Sequence, residues 1–213
     1  MGATIFELAW VLRSMEELFI DMVERPEMAE ALLDAILRFK LRFVELYVEA
    51  GVDGFQFGDD VGSQLDLMMS PELWRKYLKP RLSQVIRRAK ELNPNVMVEY
   101  HSDGNIERII PELIEVGVEI LNPVQPECMD PVKIKEQYGS RLSFRGCLGT
   151  QTVMPFGTPQ QVSDTCRSLI RDVGKGGRLI LSPSHVLEPE VPWENIEAYI
   201  SAVQAANRKA GYE

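Results

Sequence analysis

The chain has 213 residues, a formal net charge of −9, 45% hydrophobic and 26% charged residues, a composition that suits a globular protein with one sizeable core and argues against disorder. An acidic balance without a basic stripe argues against a phosphate-backbone binder, and no apolar run approaches the roughly 20 residues that span a bilayer. Residues 1–13 include Glu7 and Arg13 and lack a basic leader followed by an apolar run and a small-residue cleavage site, so the expectation is a cytoplasmic protein with neither nucleic-acid nor membrane partners.

In chain order, Gly2 to Phe6 is compatible with the end of a strand. Helical periodicity then dominates through Ala50, with Leu32, Leu33, Ile36, Leu37, Phe43, Val44, Leu46, Tyr47 and Val48 recurring at three- and four-residue intervals. Pro26 suits a first helical turn and Gly51 a C-terminal cap. Val52 to Gly58 reads as a short apolar strand ending in Asp59-Asp60. Ser70-Pro71 announces the next helix, which runs to about Leu92 with a break at Pro80. Val96 to Tyr100 alternates as a strand should and then gives way to His101-Ser102-Asp103-Gly104-Asn105.

A helix over about 105–116 ends at Gly117, and Val118 to Leu121 forms a strand closing on Asn122-Pro123-Val124-Gln125-Pro126. Pro131 to Tyr138 is a short helix, and Leu142 to Gly146 is a strand opening into Cys147-Leu148-Gly149-Thr150-Gln151. Thr158-Pro159 starts a helix to about Val173. Arg178 to Leu181 is a strand tipped by Ser182-Pro183-Ser184-His185, and a last helix spans Pro192 to about Ala210.

Strand and helix alternate throughout, which predicts parallel strands joined by right-handed crossovers in one α/β domain over 1–213. In such folds the loops after the strands gather on one face, where ligands bind. That face would carry Asp59 and Asp60, His101 and Asp103, Asn122 and Gln125, Arg145, Cys147 and Gln151, and Ser184 and His185. His101 and Asp103 lie two residues apart, so in extended geometry their side chains leave one face and can share a metal, a proton or a substrate.

Plainer roles compete for some of these residues. Asp59 and Asp60 also suit helix caps or turns, Asp103 before Gly104 suits a turn, and Cys147 suits a small core position as well as a nucleophile. The three cysteines, Cys128, Cys147 and Cys166, are widely spaced without a CxxC and read as reduced thiols.

With these residues in hand, the chain resembles the uroporphyrinogen decarboxylase superfamily, which also contains corrinoid-dependent methyltransferases. The markers are Gly2-Ala3-Thr4 with Trp10, Ala50-Gly51-Val52-Asp53, Ser70-Pro71-Glu72, His101-Ser102-Asp103-Gly104, Gly157-Thr158-Pro159 with Val162, Gly176-Gly177, the His185 tip, and Val191-Pro192-Trp193-Glu194-Asn195. The resemblance implies a parallel (β/α)8 TIM-barrel fold, here incomplete, with about six of eight βα units and the N-terminal third missing. Trp10 stands where the decarboxylases place a tyrosine, and His185 matches one of their active-site residues.

The methyltransferase branch holds zinc with a His-x-Cys motif and a later Cys. His101 matches the histidine, Asp103 takes the place of the first cysteine, and Ser184-His185 lies near the later one. The resemblance therefore implies a methyltransferase-like enzyme acting with a corrinoid or a thiol acceptor. Its catalytic set is His101, Asp103, His185 and Asp60; Trp10, Asp59, Asn122, Gln125, Arg145 and Gln151 contact a small-molecule substrate; His101 and Asp103 hold zinc. A corrinoid carrier protein and a second copy of the chain are the expected partners. The alternatives are a uroporphyrinogen decarboxylase, which needs no cofactor, and a non-catalytic remnant of a barrel.

Overall fold

The structure, a computed structural model, describes residues 3–211. Within it the chain divides into two compact units, 1–120 and 121–213.

The first unit begins with three helices, α1 (Phe6–Arg13), α2 (Met15–Glu24) and α3 (Pro26–Glu49). Ala29, Leu33, Ile36, Leu37 and Val44 form the buried stripe of α3, the three- and four-residue spacing that turns one helix face toward a core. Lys40 occupies a position in that stripe and is only 8% exposed. β1 (Gly54–Gly58) pairs in parallel with β2 (Met97–His101), in a register that sets Gly54 opposite Met97 and Gly58 opposite His101. Phe55 and Phe57 of β1 are both buried, and their rings stack 5.1 Å apart.

Between the strands lie α4 (Pro71–Leu73), a π-helical turn (Trp74–Leu78) and α5 (Lys79–Leu92). The break expected at Pro80 takes the form of this π turn, in which the Lys79 amide reaches back five residues to the Trp74 carbonyl. Proline has no amide hydrogen for the ordinary ladder, and a local π register accommodates the mismatch. The turn is well anchored, since Trp74, Tyr77 and Leu78 are buried and the Tyr77 hydroxyl donates to the Met22 carbonyl at 2.7 Å. A 3-10 turn (Glu107–Ile109) leads into α6 (Ile110–Glu115), so the single helix expected there is shorter and tighter at its start.

β3 is Ile120–Asn122, and the second unit begins at Leu121. α7 (Pro131–Tyr138) is capped by Asp130, which accepts from the Val132 and Lys133 amides. β4 (Ser143–Leu148) pairs in parallel with β5 (Leu179–Pro183), Phe144 opposite Leu179 and Leu148 opposite Pro183. α8 (Val153–Phe156), not foreseen in the sequence, precedes α9 (Pro159–Asp172), and Asn195 at the start of α10 (Trp193–Ala210) ties the end of α8 down by donating to the Met154 and Gly157 carbonyls, both at 2.8 Å. Thr158 and Gln161 make a reciprocal capping box on α9.

The alternation of strands with helices is thus as expected, with five strands among the described residues. The opening fragment is not one of them: Gly2 lies outside the described residues, and residues 3–5 carry no strand. Thr4 nevertheless docks on the end of β1, its amide donating to the Gly58 carbonyl and its hydroxyl accepting from the Gly58 amide, each at 2.8 Å.

Candidate functional site

β1 and β2 end side by side, and their two tips build a cluster in the first unit. The alternation of β2 buries Val98 and Tyr100 and leaves His101 at the rim, with its side chain 26% exposed. Glycine at position 58 makes this possible, because a side chain there would come within 2.7 Å of the His101 Cβ. The loop beyond His101 is equally tight. Gly104 has φ +81° and a Cβ on it would sit 2.6 Å from the Gly62 carbonyl oxygen, so only glycine lets the two tip loops approach this closely.

In that frame, His101 Nε2 lies 3.8 Å from Asp60 Oδ1 and 3.9 Å from Asp103 Oδ1. The Asp103 amide donates to Asp60 Oδ1 at 2.8 Å, which fixes one tip against the other. One ligand atom from each of Asp60, His101 and Asp103 falls within 4.8 Å of the others. These separations are too long for direct hydrogen bonds. They match the spacing of about 3 to 4 Å between donor atoms that surround one ion at roughly 2.1 Å, so the three side chains fit a divalent cation. All three are half-buried, hence partly desolvated and still reachable.

Asp59, next door, faces the other way. It is 4% exposed, and its carboxylate accepts from the Ile5 amide at 2.9 Å and the Glu7 amide at 3.0 Å. It therefore caps the N-terminus of α1 across more than fifty residues of sequence, a role that α1's own N-cap residue, Ile5, cannot fill. Burial pushes the Asp59 carboxyl up to about 7 despite those donors. Trp10, on α1, packs edge-on against Phe6 with ring centroids 5.1 Å apart.

Two residues that the sequence did not flag belong to this neighbourhood. Glu7 lies near the cluster, close enough for the charges of Asp60 and His101 to act on it. Burial, and then the Asp60 charge, raise its pKa. Lys40 is held below its usual range by burial, while the nearby charges of Asp59 and Glu7 pull it back up. Lys40 had left a trace, as the one cation on an apolar stripe. Glu7 had not, since an acidic residue in a first helical turn is commonplace.

In the second unit, Asn122 and Arg145 hold each other, with Asn122 Nδ2 donating to the Arg145 carbonyl and Arg145 Nη2 donating to Asn122 Oδ1, both at 3.1 Å. Gln125 is 7% exposed, the Gln151 amide donates to Glu127 Oε1 at 3.1 Å, and His185 is exposed beyond β5. Cys147 is buried with φ +74°, and burial pushes its thiol up to about 12. This is the core role rather than the nucleophilic one, because an attacking sulfur must first ionise.

Strands and helices in alternation with a polar centre at the strand tips define an α/β protein of the (β/α)8 type, incomplete in this chain. A solved methyltransferase from Methanosarcina mazei superposes with a TM-score of 0.75 at 26% identity, over 93% of this chain and 56% of that one. The family model described as uroporphyrinogen decarboxylase (URO-D) matches residues 3–206, and the chain belongs to that family. Among its relatives, methylcobamide:CoM methyltransferase MtaA of Methanosarcina barkeri is 26% identical over 84% of this chain and 50% of its own length. The uroporphyrinogen decarboxylase of Coxiella burnetii (strain Dugway 5J108-111) is 19% identical over 86% and 49%. The chain therefore spans about half the length of the curated relatives it matches.

Proposed function

We propose that this chain is a methyltransferase-like member of the URO-D family, with Asp60, His101 and Asp103 as its working centre and residues 1–213 as one barrel-type domain. The observation that carries the reading is the convergence of one imidazole and two carboxylates at the tips of β1 and β2. His101 takes the place of the histidine in the branch's His-x-Cys motif and Asp103 that of the cysteine. The centre is consequently all nitrogen and oxygen, harder than a thiolate site.

A zinc ion held there would lower the pKa of a bound thiol or water and so generate a nucleophile to accept a methyl group. Of the chain's own residues, His101 and Asp103 would hold the cation. Asp60, fixed through the Asp103 amide, orients Asp103 and adds a second carboxylate. Asn122, Gln125, Arg145, Gln151 and Trp10 are proposed to contact a small-molecule substrate, and His185 to join the chemistry. The methyl group would come from a corrinoid on a carrier protein, the setting would be the cytoplasm, and two copies would associate.

The uroporphyrinogen decarboxylase relatives support a second reading, a cofactor-free decarboxylation. Two carboxylates beside His101 disfavour it, because they repel a substrate that is itself a polycarboxylate. Metal analysis of the purified chain followed by His101→Ala tests the first reading: about one equivalent of zinc is expected, lost in the variant. Zinc retained in full by the variant would remove His101 from the centre. Carbon dioxide released from uroporphyrinogen by metal-free protein would establish the second reading instead.

A further inference from the structure

We infer that α3 carries, on the face it turns to solvent, the seam through which two copies of this chain associate, the two helices lying antiparallel about a two-fold axis near residues 33 and 34. The inference rests on the reading that two copies pair and gives that pairing its surface; it does not involve the cation centre.

α3 is apolar over more of its circumference than its own core uses. Ala29, Leu33, Ile36, Leu37 and Val44 form its buried stripe. A second row, Met28, Leu32, Ala35, Phe39, Phe43 and Leu46, follows steps of three and four residues and so runs down a neighbouring face of the same helix. Met28, Phe39 and Leu46 are 47%, 52% and 44% exposed, Ala35 is exposed, and Leu32 and Phe43 are half-buried. Single apolar residues on a surface are ordinary, whereas a continuous row marks an interaction site. The row is also held in place. The ring centroids of Phe39 and Phe43 lie 4.6 Å apart, those of Phe43 and Tyr47 6.1 Å apart, and Tyr47 meets the buried Phe55 of β1 edge-on at 6.2 Å. Rings that face solvent are thus braced by rings that lead into the core, and little freedom remains to be lost on association.

The occupant and its direction follow from spacing and charge. The row repeats as a heptad seam, with Leu32, Phe39 and Leu46 seven residues apart and Met28, Ala35 and Arg42 at the alternate positions. Such a seam matches a helix with the same repeat, and a second copy of α3 has it by definition. Parallel pairing would set Arg42 beside Arg42 in the seam, like charges at close quarters. Antiparallel pairing about residues 33 and 34 instead sets Met28 against Phe39, and Leu32 against Ala35, of the other copy. It also carries Arg42 to the acidic end of the other α3, where Glu24 and Glu27 are exposed. Arg42 has charge left for that contact: its carboxylate within the chain, Glu45 at 2.9 Å, is shared with Arg88 at 2.8 Å. A two-fold axis makes every one of these contacts twice.

Sedimentation velocity of the purified 213-residue chain over a concentration series tests the inference, with circular dichroism as the check on folding. The parent is expected to form a dimer, and Phe39→Glu to weaken it by about tenfold or more with its helical signal retained. Ala35→Glu, a change at an exposed position to another good helix former, is expected to do the same. Arg42→Glu should weaken the dimer, and Glu27→Arg combined with Arg42→Glu should restore it, because the exchanged charges meet across the antiparallel seam. His101→Ala, which lacks the centre, is expected to dimerise as the parent does, so failure of the seam and failure of the centre are read separately. A parent chain that stays monomeric at every concentration would overturn the inference, as would parental dimerisation in Phe39→Glu or Ala35→Glu. Failure of the charge exchange to restore the dimer would overturn the antiparallel arrangement.

Discussion

At the scale of single residues, the chemistry divides between groups that are poised and groups that are put away. His101, Asp60 and Asp103 keep between a quarter and a third of their side-chain surface, enough to meet a ligand. The cysteines Cys147 and Cys166 are buried, and burial pushes their thiols up to about 12 and about 11. Ellman's reagent at pH 8 should leave both untouched in native protein and titrate them after denaturation. The same shifts fix a sign for stability. Because the folded values lie above the unfolded one of about 8.5, the unfolded state releases protons first as the pH rises. The stability these thiols contribute is complete below about pH 8.5 and is lost as the pH climbs toward 11–12. Urea unfolding at pH 7 and pH 10 should show the drop, and Cys147→Ala with Cys166→Ala should reduce it.

At the scale of elements, α1 is the least self-sufficient helix near the centre, since its N-cap is lent by Asp59. Asp59→Ala should cost about 2 kcal/mol, because it strips buried amides of their acceptor as well as removing a cap, and chemical denaturation would measure it. Gly104→Ala combines a positive φ with a collision against the backbone of residues 62 and 63. It should part the two tip loops and weaken metal binding more than global stability, which paired calorimetric titration and thermal unfolding would separate.

Much at this scale was legible in sequence. The alternation of Val96, Val98 and Tyr100 placed His101 at a strand end, and Ser70-Pro71 and Thr158-Pro159 marked real helix starts, because these signals depend on nearest neighbours and on fixed backbone periods. Glu7 near Asp60, and the lending of Asp59 to α1, were not legible, since each joins residues more than fifty positions apart through packing that no local pattern encodes. Lys40 stood between: its break in the α3 stripe was visible, its cause was not.

At the scale of the molecule, the chain is an incomplete barrel of the URO-D family, about half as long as the relatives it matches. Among the described residues no helix is long and apolar enough to cross a membrane. A cation that binds the folded chain and not the unfolded one must raise its stability, by about 2.7 kcal/mol at a hundred times the dissociation constant. Zinc should therefore shift the thermal midpoint of the parent chain and leave that of His101→Ala unchanged. Added salt should weaken the effect, since the whole chain carries a net charge of −9 and part of the attraction is long-range.

The most direct measurement is X-ray absorption at the zinc edge of the loaded protein. A centre built from Asp60, His101 and Asp103 predicts a shell of nitrogen and oxygen at about 2.0–2.2 Å with imidazole scattering beyond it. A sulfur shell at about 2.3 Å, or a spectrum unchanged by His101→Ala, would contradict the account.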